Sequence, residues 1–159
     1  MSMIASVAPL QLSQVLYDQL RTHGEETYPH ECCGILLGRA TPTGIEVAAL
    51  VRAGNTRTDS AHNRYHISPL ELIKAQREAR AQGLDIVGFY HSHPDHPAHW
   101  SSTDFAEAHW FGCAYVITAV EGDKQTGQAT VTNSFLLSGS LEADKSFVQQ
   151  QITVVEKAE

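Results

Sequence analysis

The run Ile86-Val87-Gly88-Phe89-Tyr90-His91-Ser92-His93-Pro94 decides how this chain is read. Ile86 to Tyr90 is a short apolar stretch expected to form a buried strand. Alternate residues of a strand project from one face, so His91 and His93 converge on a single point. Pro94 ends the strand and brings that point to the sheet edge, within reach of a ligand. Such a pair alone is a weak signal, because two surface histidines on an edge strand give the same pattern.

The downstream segment strengthens the signal. Seven residues separate His93 from Ser101-Ser102-Thr103-Asp104, and Pro94 and Pro97 keep that connection extended and turn it back. With Ser101 or Ser102 opening a helix, Asp104 falls in its first turn and can face the histidine pair. Two imidazoles and a carboxylate form a three-ligand set suited to zinc, with a fourth position open for water. Ser-x-x-Asp is also a plain capping box. The two readings are compatible, since a capped helix is a rigid mount for Asp104.

Working outward, the chain reads as one α/β unit of the α+β type over residues 1–159, a single mixed or antiparallel sheet flanked by helices. Leu12, Val15, Leu16 and Leu20 recur at helical spacing behind Ser13, predicting a helix over about 14–26. Cys33 to Gly38 reads as a buried strand, and Ile45 to Val51, with its alternating apolar residues, as its antiparallel neighbour. A polar loop follows from Ala53 to Arg64. Ser68-Pro69-Leu70-Glu71 supplies an N-cap, an N1 proline and a capping-box glutamate, predicting a helix to Gln82 that Gly83 stops. The helix opened near Ser101 is expected to end before Gly112. Cys113 to Ala119 and Ala129 to Leu137 complete the sheet, Phe147 to Val155 adds a last strand, and residues 156–159 fray.

Composition narrows the function classes. A chain of 159 residues suits one domain. Net charge −7 with no Lys/Arg run speaks against nucleic acid as a partner. No apolar stretch approaches the ~20 residues of a membrane span, and the N-terminus lacks a signal-peptide pattern, so a cytoplasmic location is expected. Cys32, Cys33 and Cys113 fit a reducing compartment and are expected to be buried and unbridged. The nine histidines are a high count, and four of them (His91, His93, His96 and His99) fall within one short segment.

The spacing His91-Ser92-His93-Pro94, then Ser101 and Asp104, resembles the signature of the JAMM (MPN-plus) metalloprotease family. Tyr28-Pro29-His30-Glu31-Cys32-Cys33-Gly34-Ile35-Leu36-Leu37-Gly38 resembles its upstream glutamate element, and Asn63-Arg64-Tyr65-His66-Ile67-Ser68-Pro69 the segment before its second helix. The resemblance runs from about residue 10 to 137 and implies a cytidine-deaminase-like fold. It implies one zinc ion held by His91, His93 and Asp104, Glu31 as general base, and Ser101 as the donor that steadies the developing oxyanion. From the residues alone Glu25, Glu26 and Glu107 are also candidates for the base, though each is expected to be a solvated surface carboxylate; only the resemblance selects Glu31. Ser92 should face away from the ligands. Trp100 stands where members of the family often have proline, which should reshape the mouth of the site, while His96 and His99 are expected at the surface.

Other chemistries fit less well. A cupin needs a glutamate where Pro97 and Ala98 stand, and HExxH, HxE with PCxxC, and GxSxG elements are missing. A cysteine hydrolase built on Cys32 would leave His91, His93 and Asp104 without a role. A non-catalytic MPN scaffold typically lacks a ligand, and none is missing here. The family cleaves amide bonds after the C-terminal glycine of ubiquitin-like proteins. With little room for an insertion after Asp104, the chain resembles small bacterial members acting on ubiquitin-like sulfur carriers with a Gly-Gly end. Their tail would lie along a sheet edge as an added strand.

Overall fold

The computed structural model describes residues 7–55 and 65–156. Its first element was not expected from the sequence: Leu10–Ser13 is a strand, β1, in which Leu10 and Leu12 are buried. Leu12 therefore belongs to the strand and not to the helical stripe, and Val15 points to solvent. Ser13 ends β1 and caps α1 (Gln14–Thr27), its side chain accepting a hydrogen bond from the Leu16 amide at 3.2 Å. Next come β2 (Cys33–Thr41) and β3 (Gly44–Ala53), antiparallel as the alternation required. Of the loop expected over 53–64, Ala53 ends β3, and residues 56–64 lie outside the described residues, as do 157–159 of the tail expected to fray. Helix α2 (Pro69–Ala81) starts at Ser68, whose side chain accepts from the Glu71 amide, and stops where Gly83 takes φ +71°. The Glu71 carboxylate is turned onto the Gly54 amide at 3.1 Å, tying the helix start to the end of β3.

After β4 (Asp85–Pro94) comes α3, which opens at Ser102 and ends before Gly112 as expected, though it covers only Ser102–Ala106. The buried Lys145 ammonium explains the early stop. It donates to the carbonyls of Phe105 (2.8 Å) and Ala108 (3.1 Å), groups that a longer helix would have used internally. Strands β5 (Ala114–Gly122) and β6 (Gly127–Ser138) follow. The single strand expected over 147–155 is two, β7 (Ser146–Gln150) and β8 (Ile152–Val155), separated by Gln151 alone.

That split shapes the sheet. Strand order is β7-β6-β5-β4-β2-β3-β1-β8, mixed in direction, with β4 parallel to β5 and antiparallel to β2. β7 and β8 stand at opposite ends of this order yet are one residue apart in the chain, so the sheet must curl until its ends meet. Gln150 seals the join: its buried side chain accepts from Ser134 Oγ and donates to the Ala8 carbonyl, at 2.9 and 2.8 Å.

Two apolar clusters pack on opposite sides of the sheet. Ile35, Leu37, Ile86 and Phe89 meet Ala75 and Ala79 of α2, whereas Leu36, Val87 and Tyr90 meet Leu20 of α1. The register of β2 on β4 shifts between Leu36 and Leu37, where Val87 is bulged out. A one-residue bulge reverses the phase of the strand, so Phe89 lies on the same side as Ile86, and His91 and His93 follow it on that face. Tyr90 faces α1, its ring lying across Gly34, where a β-carbon would collide with it, and its hydroxyl meeting His23 Nδ1 at 2.8 Å. Among the described residues no helix is long and apolar enough to cross a membrane.

Candidate metal centre

β4 is an interior strand, so its histidines sit at a strand end and not at a sheet edge as the sequence suggested. Cys33 pairs with His91, and continuing that antiparallel register places Glu31 abreast of His93. The link beyond the last pair is made by Ser92: its amide donates to the Cys32 carbonyl (3.2 Å) and its Oγ accepts from the Cys32 amide (2.8 Å). Ser92 thus turns away from its neighbours, as expected, and fastens the glutamate-bearing segment to the histidine-bearing strand.

His91 and His93 are buried, at 2 % and 7 % exposure, and Asp104 is held against them. His91 Nε2 lies 3.1 Å from His93 Nε2, and Asp104 Oδ2 lies 3.3 and 3.0 Å from these two atoms. Tetrahedral zinc with bonds of ~2.0–2.1 Å would set its ligand atoms about 3.3 Å apart, close to this triangle. The donor set therefore fits the ion in kind and in spacing. Among the described residues this is the one such group of histidine, cysteine and carboxylate donors.

Each member of the group has a distinct support. His93 Nδ1 lies 2.9 Å from the Pro97 carbonyl, which can only accept; Nδ1 therefore carries the proton and Nε2 is left to bind a metal. Asp104 closes the capping box of α3: its Oδ2 accepts from the Ser101 amide at 2.9 Å and its amide donates to Ser101 Oγ at 3.0 Å. Ser101 Oγ is the acceptor in that pair, so its hydroxyl hydrogen can point into the cleft. His91 Nδ1 is buried without a hydrogen-bond partner, and the Tyr65 ring stacks on the imidazole at 4.3 Å.

Electrostatics follow from burial and crowding. Burial alone would raise the Asp104 carboxyl, but the His91 and His93 imidazoles outweigh it and hold the group well below the usual carboxylate range. Burial pushes His91 down, towards the neutral form a ligand needs. Burial also pulls on His93, yet Asp104 and the Pro97 carbonyl overcome it and raise this group. Glu31, 5 % exposed and with Oε1 unpartnered, is pushed up to about 8 by burial, with the negative charge of Asp104 adding to the effect. Glu26 is paired with Arg52, Glu25 accepts from the Ala129 amide and Glu107 is exposed, so of the four candidates only Glu31 is buried at the cleft.

Glu31, His93, His96, Pro97, His99 and Ser101 line that cleft. His96 and His99 are exposed and outside the donor triangle, matching the sequence expectation. Trp100 packs among Phe105, Phe147 and His99, pinning the 95–100 loop to α3 and β7. All three cysteines are free and buried; burial lifts the Cys32 thiol to about 11, which opposes a nucleophilic role for it. Two supports gave no readable sequence signal, Tyr65 on His91 and Lys145 beneath α3, because each depends on chain segments remote from the ligands.

Two imidazoles and a carboxylate converging in this way could hold a metal ion, and the relatives of the chain show the class of protein to which it belongs. Residues 13–134 match the family described as prokaryotic homologs of the JAB domain, and the chain belongs to this family, the JAMM hydrolases. It is 31% identical over 117 residues to a desampylase of Haloferax volcanii, covering 71% of this chain and 82% of that one. It is 33% identical over 113 residues to a probable TtuB-protein conjugate cleaving protease of Thermus thermophilus, covering 71% and 72%. Two solution structures share its fold. One, from Desulfitobacterium hafniense, has a TM-score of 0.76 at 24% identity, covering 94% of this chain and 95% of that one. The other, from Salinibacter ruber, has a TM-score of 0.68 at 38% identity, covering 91% of each.

Proposed function

We propose that the chain is a zinc-dependent isopeptidase that hydrolyses the amide bond after the C-terminal glycine of a ubiquitin-like sulfur carrier. The observation that carries this reading is the convergence of His91, His93 and Asp104 beside the buried, unpartnered carboxyl of Glu31. Bound there, zinc would supply Lewis-acid activation of a water molecule and a positive field that lowers the pKa of Glu31 from its metal-free position. Glu31 takes the proton of the attacking water and then passes it to the departing amine. Its carboxyl is buried at the cleft with Oε1 free of other partners, so it is available for both steps. Ser101 donates its hydroxyl hydrogen to the oxygen that becomes negative, while its Oγ stays fixed by the Asp104 amide.

Substrate class rests on the cleft and on the relatives. Pro97 and the imidazoles of His96 and His99 line the approach to His93 and Ser101, and a tail without side chains could lie along it. Because β4 is interior, the tail would cross the strand end. The Thermus relative is named for cleaving a protein conjugate, which supports an amide joint between a carrier and another molecule as the scissile bond.

The test uses one sulfur carrier ending in Gly-Gly, joined through its last glycine either to cysteine or to a protein lysine. Mass spectrometry after incubation with the zinc-loaded protein should show the free carrier from at least one adduct. Replacing the penultimate glycine by valine should abolish cleavage with the scissile bond unchanged. Both adducts left intact, alongside efficient cleavage of ubiquitin–lysine isopeptides, would overturn the carrier assignment and leave the hydrolytic chemistry standing.

A further inference from the structure

The two histidines of the donor triangle are secured unequally. A ligating imidazole ordinarily donates its second ring N–H to a carbonyl, carboxylate or water, which fixes the rotation of the ring. His93 does so through Pro97. His91 does not: its Nδ1 is fully enclosed and meets no acceptor among the described residues. Backbone pairing of β4 with β2 and β5 sets where the Cα of His91 lies, but leaves the ring to turn about its Cβ–Cγ bond. Such a turn would carry Nε2 out of the triangle it forms with His93 Nε2 and Asp104 Oδ2.

One group lies where it can stop that rotation. The Tyr65 ring lies face to face with the His91 ring, centroids 4.3 Å apart and planes 23° apart, whereas His93 meets His91 at 57°. Tyr65 is itself anchored. It packs against the buried cluster of Ile67, Phe89 and Tyr115, three residues ahead of the Ser68 cap of α2. We propose that Tyr65 is a positioning residue, whose stacked ring holds the plane of the His91 imidazole in place of the missing hydrogen bond. The inference rests on the reading of His91, His93 and Asp104 as metal ligands.

A stack depends on a flat face and not on the hydroxyl, so the shape of the replacement decides the outcome. Tyr65→Phe and Tyr65→Trp keep a flat ring; Tyr65→Leu and Tyr65→Met fill similar space without one. Zinc affinity of the full chain is measured by competition with a chromophoric chelator, and the cobalt(II)-loaded protein is read by visible absorption. The flat variants should bind zinc within about threefold of the parent. Leu and Met should weaken binding by roughly tenfold, the low end of what loss of an outer partner costs a metal site. Their cobalt bands should shift at saturation, because a turned imidazole alters the ligand field. A purely structural role would lower the unfolding midpoint of the metal-free chain and leave that spectrum unmoved. Should the Leu variant fail to fold, the flexible Met side chain carries the comparison. Equal affinity and an unchanged cobalt spectrum across all the variants would overturn the proposal. A parent protein that takes up neither zinc nor cobalt would instead overturn the metal-site reading beneath it.

Discussion

The two histidines of the donor triangle and its aspartate reach the same point from very different supports. His91 and His93 stand on an interior strand laced to neighbours on both sides, so moving them means disturbing β2 or β5. Asp104 stands on five residues of helix whose start is a two-bond capping box and whose end is held by one ammonium. Sheet ladders spread the load over many hydrogen bonds, whereas α3 concentrates it in Ser101, Lys145 and the Trp100–Phe105–Phe147 contacts. Accuracy at the histidines is thus inherited from the fold, and accuracy at the aspartate from a handful of side chains. Metal-site tolerance should be asymmetric in the same way.

The largest effect should come from removing a ligand from either support. His91→Ala and Asp104→Asn should each lower zinc affinity by more than the ~10–100-fold that loss of an outer partner costs. Asn can still accept from the Ser101 amide, so Asp104→Asn should melt within a few degrees of the parent. Asp104→Ala, which also removes the carboxylate half of the capping box, should lose about 1 kcal/mol more. Equal melting of the Asn and Ala variants, followed by calorimetry of the metal-free proteins, would mean that the bond from the Ser101 amide to the Asp104 side chain does not help to hold α3.

Next in size are the two groups proposed to act on the substrate. Glu31→Gln should retain zinc while turnover falls at least ~10²-fold, the contribution of a general base. Ser101→Ala should cut kcat by ~10²–10³-fold as an oxyanion donor is lost. It also removes the acceptor for the Asp104 amide, at about 1 kcal/mol of stability. Only the serine sits on the helical support, so only Ser101→Ala should loosen zinc binding as well. Full activity of the Gln variant would move the base elsewhere.

Lys145 tests the weak end of the helical support more directly. Its ammonium, 4 % exposed, reaches three carbonyls at the end of α3, both Glu142 oxygens, and the Phe105 ring at 4.8 Å. Lys145→Met should leave those carbonyls short of partners, costing roughly 1–3 kcal/mol, and weaken zinc binding severalfold. A thermal melt and a zinc titration on the same preparation read both. Lower stability with unchanged affinity would show that the aromatic contacts of Trp100 suffice to place Asp104.

Legibility in the sequence follows the same division. What is local was readable: Ser101 and Ser68 announce their helices through hydrogen bonds three residues away, and the histidine pair declares its shared face through the period of a strand. What depends on remote chain was not. β1 is four residues long and blends into the helical spacing of Leu12, Leu16 and Leu20. The break at Gln151 has no turn residue to mark it, because it arises where two ends of a curled sheet meet. The length of α3 is decided by Lys145, forty residues downstream of Phe105. Glu31 could be singled out from Glu25, Glu26 and Glu107 by family resemblance, but its burial is a property of the assembled cleft.

The smallest effect expected concerns pH at the strand-borne support. His23 of α1 is buried behind β4, its Nδ1 bonded to Tyr90, the residue before His91. Burial, aided by the Arg52 charge, lowers its pKa from 6.5 to about 4, with Glu26 opposing. Unfolded chain therefore takes up a proton between pH 6.5 and 4 that native chain refuses, so native stability rises with pH across this window and is lost as pH falls through it. His91, also pushed down by burial, contributes in the same sense and is present in both proteins to be compared. His23→Asn keeps a polar atom near the Nδ1 position but cannot titrate. The variant should therefore be less stable than the parent, or equal to it, at pH 7, and should gain on it steadily as the pH drops to about 4.5. Urea unfolding of the metal-free proteins at pH 7, 6, 5 and 4.5 measures the difference, and normal zinc binding by the variant at pH 7 would show that the histidine support is intact. A constant gap between the two proteins at every pH would mean that His23 takes up its proton as readily in the native as in the unfolded chain and that the strand-borne half owes no acid sensitivity to it.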